Sequence, residues 1–403
     1  MNNGIEYYED ESLESMLLRL SHALGYERFS HFAEDLWLET VDEHGAISGA
    51  FPFELTHVNV YHAQTTSQMR VRVLLALEKK LKLSSLGILR FALSHSKAQF
   101  SPDYKAVHRF GSDYPYAFLR KRFTPICPLC ISDTPYIRQQ WQFISHQACE
   151  HHGCKLVHQC PECQSKLEYQ ITESINQCEC GFELRNSPVE GAPEAALIVA
   201  RWLSGSDLKS LGSLKEEMTL SERYGFLLWY VNRYGDIDDL SFESFVAYCC
   251  SWPTLLWQDL DVLKEKAKLV QVKEWNKVFF HEVFGTLLKD CRQLPSRQLS
   301  QNNVLTQVLA YFTELMTAVP SSTKGNFGNI LLSPLEVSTL LSCTTDEVYR
   351  LYEFGEIKAA IRPRMHTKIA SHESAFTLRS VIETKIARMS SESDGLSVYL
   401  PEW

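Results

Sequence analysis

Eight soft ligand-type side chains crowd one central stretch, ICPLCISDTPYIRQQWQFISHQACEHHGCKLVHQCPECQSKLEYQITESINQCECGFEL. They fall into four pairs: Cys127 with Cys130, Cys149 with His152, Cys160 with Cys163, and Cys178 with Cys180. Two intervening residues let both donor atoms turn toward one point while free backbone amides donate to the sulfurs, and two such pairs complete a tetrahedron. Eight ligands therefore make two closed sites, one of three cysteines and a histidine and one of four cysteines. That donor set suits two structural Zn2+ ions better than an iron–sulfur cluster, and it leaves no coordination position for a substrate water.

Three features of the stretch stay open at this level. His151 neighbours His152, and the CxxH spacing favours His152 because it reproduces the CxxC turn. Cys154 reads as a spare small hydrophobe or as a substitute ligand. The pairs can be joined consecutively or interleaved in a cross-brace, and the seven residues between His152 and Cys160 suit two knuckles in series. The Cys178-Glu179-Cys180 pair is the tightest of the four.

No HExxH, glycine-rich phosphate loop, nucleophile elbow or spaced acidic triad accompanies these sites, so the chain is expected not to be an enzyme. Asp236, Asp238 and Asp239 sit in a turn-like segment without a partner group and read as solvent-facing. Lys and Arg number 40 against 49 for Asp and Glu, giving a net charge of -9, so no global positive field steers the chain onto nucleic acid. Of 12 Cys, eight lie between Cys127 and Cys180, which in a reducing compartment reads as metal binding rather than disulfides. The start, MNNGIEYYEDESLES, is acidic and polar, unlike a signal peptide. No apolar run approaches the roughly 18 residues of a spanning helix. A cytoplasmic protein without membrane partners is expected.

The elements that must hold these sites are mainly helical. With 403 residues, 45% of them hydrophobic, the chain can bury several cores. Residues 1–125 read as an N-terminal helical domain: after Asp10 or Ser12 as cap, Leu13, Met16, Leu17, Leu20 and Leu24 recur at helical spacing, with Gly25 to close the turn. Leu74, Leu77 and Leu81 mark another face, and HGAISGAFPFELTHVNVYHAQTTS is a long connection. From Lys97 to Arg122 basic and aromatic residues interleave, a composition that could meet a nucleic-acid backbone or form a solvated loop packed on the metal segment. Residues 126–186 form the tandem metal module. Residues 187–320, opening at Pro193, form a second helical domain that ends in a linker near Pro320.

Residues 321–370 carry a helix-turn-helix-like pair. Ser333 caps a helix with Pro334 at its first position and Glu336 completing a capping box, and Val337, Leu340 and Leu341 form its apolar face. After a turn at Ser342 and Cys343, Thr344 and Glu347 supply a second box, with Val348, Leu351 and Tyr352 facing inward. Asp346, Glu347 and Glu353 accompany only Arg350 there, which disfavours phosphate contact and favours protein docking. Lys358, Arg362, Arg364 and Lys368 follow as a basic wing, and residues 371–403 form a C-terminal helix and tail.

The segments DESLESMLLRLSHALGY, CPLC, PYIRQQWQF, CEHHGCKL, CPEC and CECG together resemble the TniQ/TnsD family of transposon target-selection proteins, specifically over residues 1 to about 185. Moderate length, acidic balance and the late helix pairs look most like the short TniQ proteins of CRISPR-associated transposons. The resemblance implies Cys127, Cys130, Cys149 and His152 as one zinc site, and Cys160, Cys163, Cys178 and Cys180 as the other. It makes Trp141 a packing residue that braces the module, while CEHHG departs from the commoner CPxHG form. It further implies a non-catalytic, head-to-tail homodimer. Such a dimer attaches to the crRNA-processing and backbone subunits of a crRNA-guided Cascade complex, recruits the transposon AAA+ ATPase regulator, and meets target DNA mainly indirectly. The alternative within the family is direct recognition of a fixed attachment site, and a zinc-stabilised nuclease or transposase would require metal-dependent DNA cleavage.

Overall fold

The computed structural model describes residues 6–44, 52–58, 67–81, 83, 87–101, 103–205, 211–214, 217–237, 239–296, 298–319, 321, 325–360 and 369–393. It is mainly α. The chain opens with α1 (Leu13–Ala23), α2 (Phe29–His44), α3 (Leu55–Val58) and α4 (Ser67–Leu81), followed by strands β1 (Ser94–Ser101), β2 (Tyr104–Arg109) and β3 (Ser112–Pro115). The central stretch holds α5 (Pro128–Asp133), β4 (Ala148–Cys149), β5 (Cys154–Lys155) and α6 (Tyr169–Thr172). Helices α7 (Glu194–Ser204), α8 (Leu220–Tyr234), α9 (Phe242–Cys250), α10 (Thr254–Val270), α11 (Phe280–Phe284), α12 (Leu287–Cys291) and α13 (Asn303–Ala318) follow. Last come β6 (Leu331–Leu332), α14 (Pro334–Leu341), α15 (Thr345–Glu353), β7 (Phe376–Thr377) and α16 (Leu378–Ser393). Among the described residues no helix is long and apolar enough to cross a membrane.

Helix α1 starts where a capping residue is available: the Ser12 side chain accepts from the Ser15 amide, satisfying one of the free donors of the first turn. Its stripe of Leu13, Met16, Leu17 and Leu20 is buried with Phe29 and Phe32 of α2, Leu74 and Leu77 of α4, and Ile126, Ile131, Ile137, Trp141 and Leu156 of the central stretch. The metal module therefore shares its core with the N-terminal helices. Each such Leu contributes roughly 2 kcal/mol by leaving water. Trp141 is fully buried in that core.

The basic and aromatic stretch before the module is not a loop. Its strands form an antiparallel sheet in the order β1-β2-β3, with Val107 opposite Tyr114 and Arg109 opposite Ser112. The sequence lacks the period-two alternation that announces a strand, so the pairing is set by its turn. Phe110 and Gly111 both have positive φ, 41° and 82°, as a two-residue hairpin turn needs. Tyr114 then packs on Phe143 and Tyr224, each at 5.0 Å between ring centroids, which fastens the sheet to α8 and to a second core built from α7 through α16.

The late helix pair forms as its caps dictate. Ser333 and Glu336 make a reciprocal capping box and Pro334 sits in the first turn, whereas Thr344 accepts from the Glu347 amide without the return bond that the expected second box needs. Val337, Leu340, Leu341, Val348 and Leu351 are buried, while Tyr352 is half-buried. Of the expected basic wing, Arg362, Arg364 and Lys368 lie outside the described residues, as do Asp238, Pro320 and most of the long connection between α2 and α4.

His146 lies at the joint between sheet, module and α8. It is fully buried, its Nδ1 lies 3.5 Å from the Tyr224 hydroxyl, and the Arg120 guanidinium donates to its carbonyl at 3.1 Å. Burial first, and Arg120 second, hold its imidazole down to about 3. The unfolded chain takes up this proton near pH 6.5 and the folded chain does not, so stability falls as pH drops from about 6.5 toward 3. The slope from this one group is at most about 1.4 kcal/mol per pH unit. Replacing His146 with Leu is expected to flatten the fall of the unfolding free energy, measured by urea titration between about pH 6 and 4, by up to that amount. An unchanged slope in the variant refutes a neutral, buried imidazole.

Candidate metal centres

Both clusters are built by tight backbone turns. Cys127 caps α5, and its sulfur accepts from the Cys130 amide at 3.4 Å, so the CPLC turn aims both sulfurs to one side. Cys149 and Cys154 face each other across the β4–β5 hairpin, whose turn closes through the Gly153 amide on the Cys149 carbonyl at 2.9 Å, with Gly153 at φ +64°. That hairpin returns His152 toward Cys127 and Cys130. The two turns are joined by paired backbone bonds between Ile126 and Val157, at 3.0 and 2.7 Å.

The donor atoms of Cys127, Cys130, Cys149 and His152 all lie within 4.8 Å of one another. The His152 Nδ1 stands 3.5 Å from the Cys127 sulfur, 3.3 Å from Cys130 and 3.7 Å from Cys149, and the Cys130 and Cys149 sulfurs are 3.5 Å apart. Tetrahedral coordination with bonds of about 2.0–2.3 Å places such donors roughly 3.5–3.8 Å apart, so the geometry is compatible with one metal ion. The other imidazole nitrogen, Nε2, meets Asp133 at 3.1 Å, the outer carboxylate that fixes the ring and its tautomer. His151 instead lies with Glu150 at 3.6 Å.

Crowding shows in the acidities. The Cys130 thiol is pushed far up, first by its hydrogen bond to Cys127 and next by that to Cys149, while the Cys149 thiol is held far down as the acceptor of its neighbours' bonds. Sulfurs this close share one negative charge unless a cation joins them. Cys154, buried, lies 3.4 Å from the Cys127 sulfur as a fourth thiol outside the four-donor set.

Cys160, Cys163, Cys178 and Cys180 form the second cluster, again with all donors within 4.8 Å. The Cys160–Cys180 and Cys163–Cys178 sulfur distances are 3.7 and 3.6 Å. Two small hairpins supply them. In one, the Cys160 amide donates to Ser165; in the other, Cys178 donates to Phe182, with Gly181 at φ +87° allowing the tight CEC turn. The donors group by consecutive pairs. Cys163 and Cys180 are exposed, whereas the cysteines of the first cluster are buried.

A polar lock, invisible in the motif spacing, holds the module against α1. Tyr136 donates to Asp10 at 2.9 Å, Arg138 pairs with the same carboxylate, and the Ser12 amide donates to the Ile137 carbonyl at 2.9 Å. Deeper, Glu14 accepts from Gln142 at 3.2 Å, and Tyr169 lies 3.2 Å from Ser12. Burial pushes the Glu14 carboxyl up. These partners are more than 120 residues apart in sequence and carry no local signal.

The family model described as TniQ matches residues 4–156, a span that runs from before α1 through β5 and includes the whole first cluster. Residues 4–156, well under half of the chain, are thus similar to the TniQ family. No curated protein matches the chain.

The burial difference sets the expected responses to ligand loss. Cys130→Ser is expected to release one metal equivalent and strip hydrogen-exchange protection from α1, because the first cluster sits in that helix's core. Cys163→Ser is expected to release the other equivalent and leave α1 protected. Asp133→Ala is expected to raise the chelator sensitivity of one ion about tenfold. Elemental analysis with exchange mass spectrometry checks all three; loss of α1 protection in Cys163→Ser contradicts the two-tier arrangement.

Proposed function

We propose that this chain, similar to the TniQ family over residues 4–156, is the non-catalytic adaptor of an RNA-guided transposition system. It would join a crRNA-guided Cascade complex at the target site to the transposon's AAA+ ATPase regulator, acting as a head-to-tail homodimer. Both clusters would hold zinc: three thiolates with an imidazole, and four thiolates, match that ion's preference, and neither set leaves room for a substrate. The ions would serve folding, keeping the polar lock and the helical surfaces in register.

The observation that carries the adaptor reading beyond that similarity is the outer surface of the late helix pair. In a DNA-reading arrangement α15 would face the major groove. Here Asp346, Glu353 and Glu356 are exposed on or just after it, Arg350 pairs with Glu347 at 3.7 Å, and Phe354 is 78% exposed. Carboxylates beside a large exposed ring suit a protein partner and repel a phosphate backbone. Sequence readout delegated to guide pairing leaves such a surface free for docking.

The test is co-expression with Cascade proteins and crRNA, followed by purification through the guide complex. The chain is expected to co-purify in two copies, and Phe354→Ala with Glu353→Lys to weaken a docking contact. A specific shift of attachment-site duplex by the isolated chain, without retention on Cascade, would instead establish direct site recognition and refute the adaptor reading. Metal analysis is expected to return two zinc ions per chain.

A further inference from the structure

The most distinctive unassigned feature is a cleft of about 1110 Å³ between the second metal knuckle, the extended segment that leads to Cys127, and the C-terminal end of α8. Its charge opposes that of the chain. Among the described residues, Arg120, Lys121, Arg122 and Lys166 line it together with the carboxylate of Asp236, whereas the whole chain carries -9. Glu168, beside the cleft, pairs with Arg122 at 2.9 Å and offsets part of that excess.

The remaining charge is built in. The Arg120 guanidinium donates to two neutral acceptors, the carbonyls of Trp141 and His146, both at 3.1 Å, which hold it in place. Lys166 is fixed over the Phe123 ring at 4.5 Å, and its strand segment is closed against Gln159 by the turn that carries Cys160 and Cys163. Tyr104 and Tyr116 contribute half-buried aromatic rings to the walls.

Fixed cations with aromatic walls are the components of a single-strand site: phosphates track the charge and bases stack on rings without sequence preference. The cleft exceeds the roughly 300–1,000 Å³ of small-molecule pockets, and Lys121 and Arg122 on its wall are exposed to an incoming phosphate. We infer that this cleft binds a segment of single-stranded nucleic acid, with Lys121, Arg122 and Lys166 at the phosphates and Tyr104 and Tyr116 beside the bases. The second metal cluster thereby gains a specific task, since its hairpin carries Lys166 and His158. This inference does not depend on which protein partner the late helix pair meets.

The test titrates full-length, metal-loaded protein into labelled oligothymidylate and oligouridylate of about twelve nucleotides, and into a duplex of equal length. Both single strands are expected to bind about tenfold tighter than the duplex, with the tighter of the two naming DNA or RNA as the strand the site prefers. Lys121→Glu with Lys166→Glu is expected to weaken single-strand binding about tenfold or more, and to flatten the plot of log affinity against log salt by about 1.4 for two lost phosphate contacts. Tyr104→Leu is expected to weaken binding several-fold with the salt slope unchanged, which separates stacking from charge and covers the case in which the double variant misfolds. Charge reversal at Lys266 and Lys268 on α10 is the control and is expected to have little effect. Equal binding of duplex, unchanged affinity in the folded double variant, or an equal loss in the α10 control would overturn the inference.

Discussion

Soft donors do not gather without a reason. Three thiols and an imidazole within a few ångströms repel one another as they ionise, and as neutral thiols they gain little from contact. The first cluster places that crowd inside the core shared by α1, α2, α4 and the central stretch, where water cannot screen it. The geometry of that crowd is compatible with a cation at its centre, and the free energy of binding one would become free energy of folding. Asp133 on the far nitrogen of His152 follows from the same constraint, because an imidazole ligand must be held in one tautomer and one orientation.

Around that centre the N-terminal helices and the metal segment act as one body. Asp10, Glu14 and Ser12 on the entry to α1 meet Arg138, Tyr136, Gln142 and Tyr169 of the segment, so buried polar groups find partners only when both parts are in register. Such networks contribute specificity more than raw stability. The family match ends at residue 156, close to the end of the hairpin that completes the first cluster, and the second cluster lies beyond it, with Cys163 and Cys180 exposed and Cys160 buried.

The distribution of charge ties structure to function more closely than net charge does. An acidic chain keeps an acidic, aromatic surface on the late helix pair and a basic cleft beside the second metal knuckle. These surfaces sit on different elements and suit partners of different chemistry. Separate surfaces let one body hold partners of both kinds at once without their competing for one patch.

Ligand types and spacing, capping residues and helical stripes were legible in the sequence because each depends on neighbours within a few residues. The four pairs, the Ser12 cap and the Ser333 and Thr344 caps with their buried faces are all local patterns, and the structure carries each of them. The sheet was not legible: its strands lack alternation, and its turn depends on Phe110 adopting a left-handed conformation that no Asn-Gly or Asp-Gly signal announces. Nor was it apparent that Arg120, Lys121 and Arg122 would join Lys166 in one cleft while Arg109, from the same basic run, turns away to the carbonyls of Glu9 and Arg90. Composition can count cations, but only the folded chain decides which of them face each other, since that depends on contacts between residues far apart in sequence.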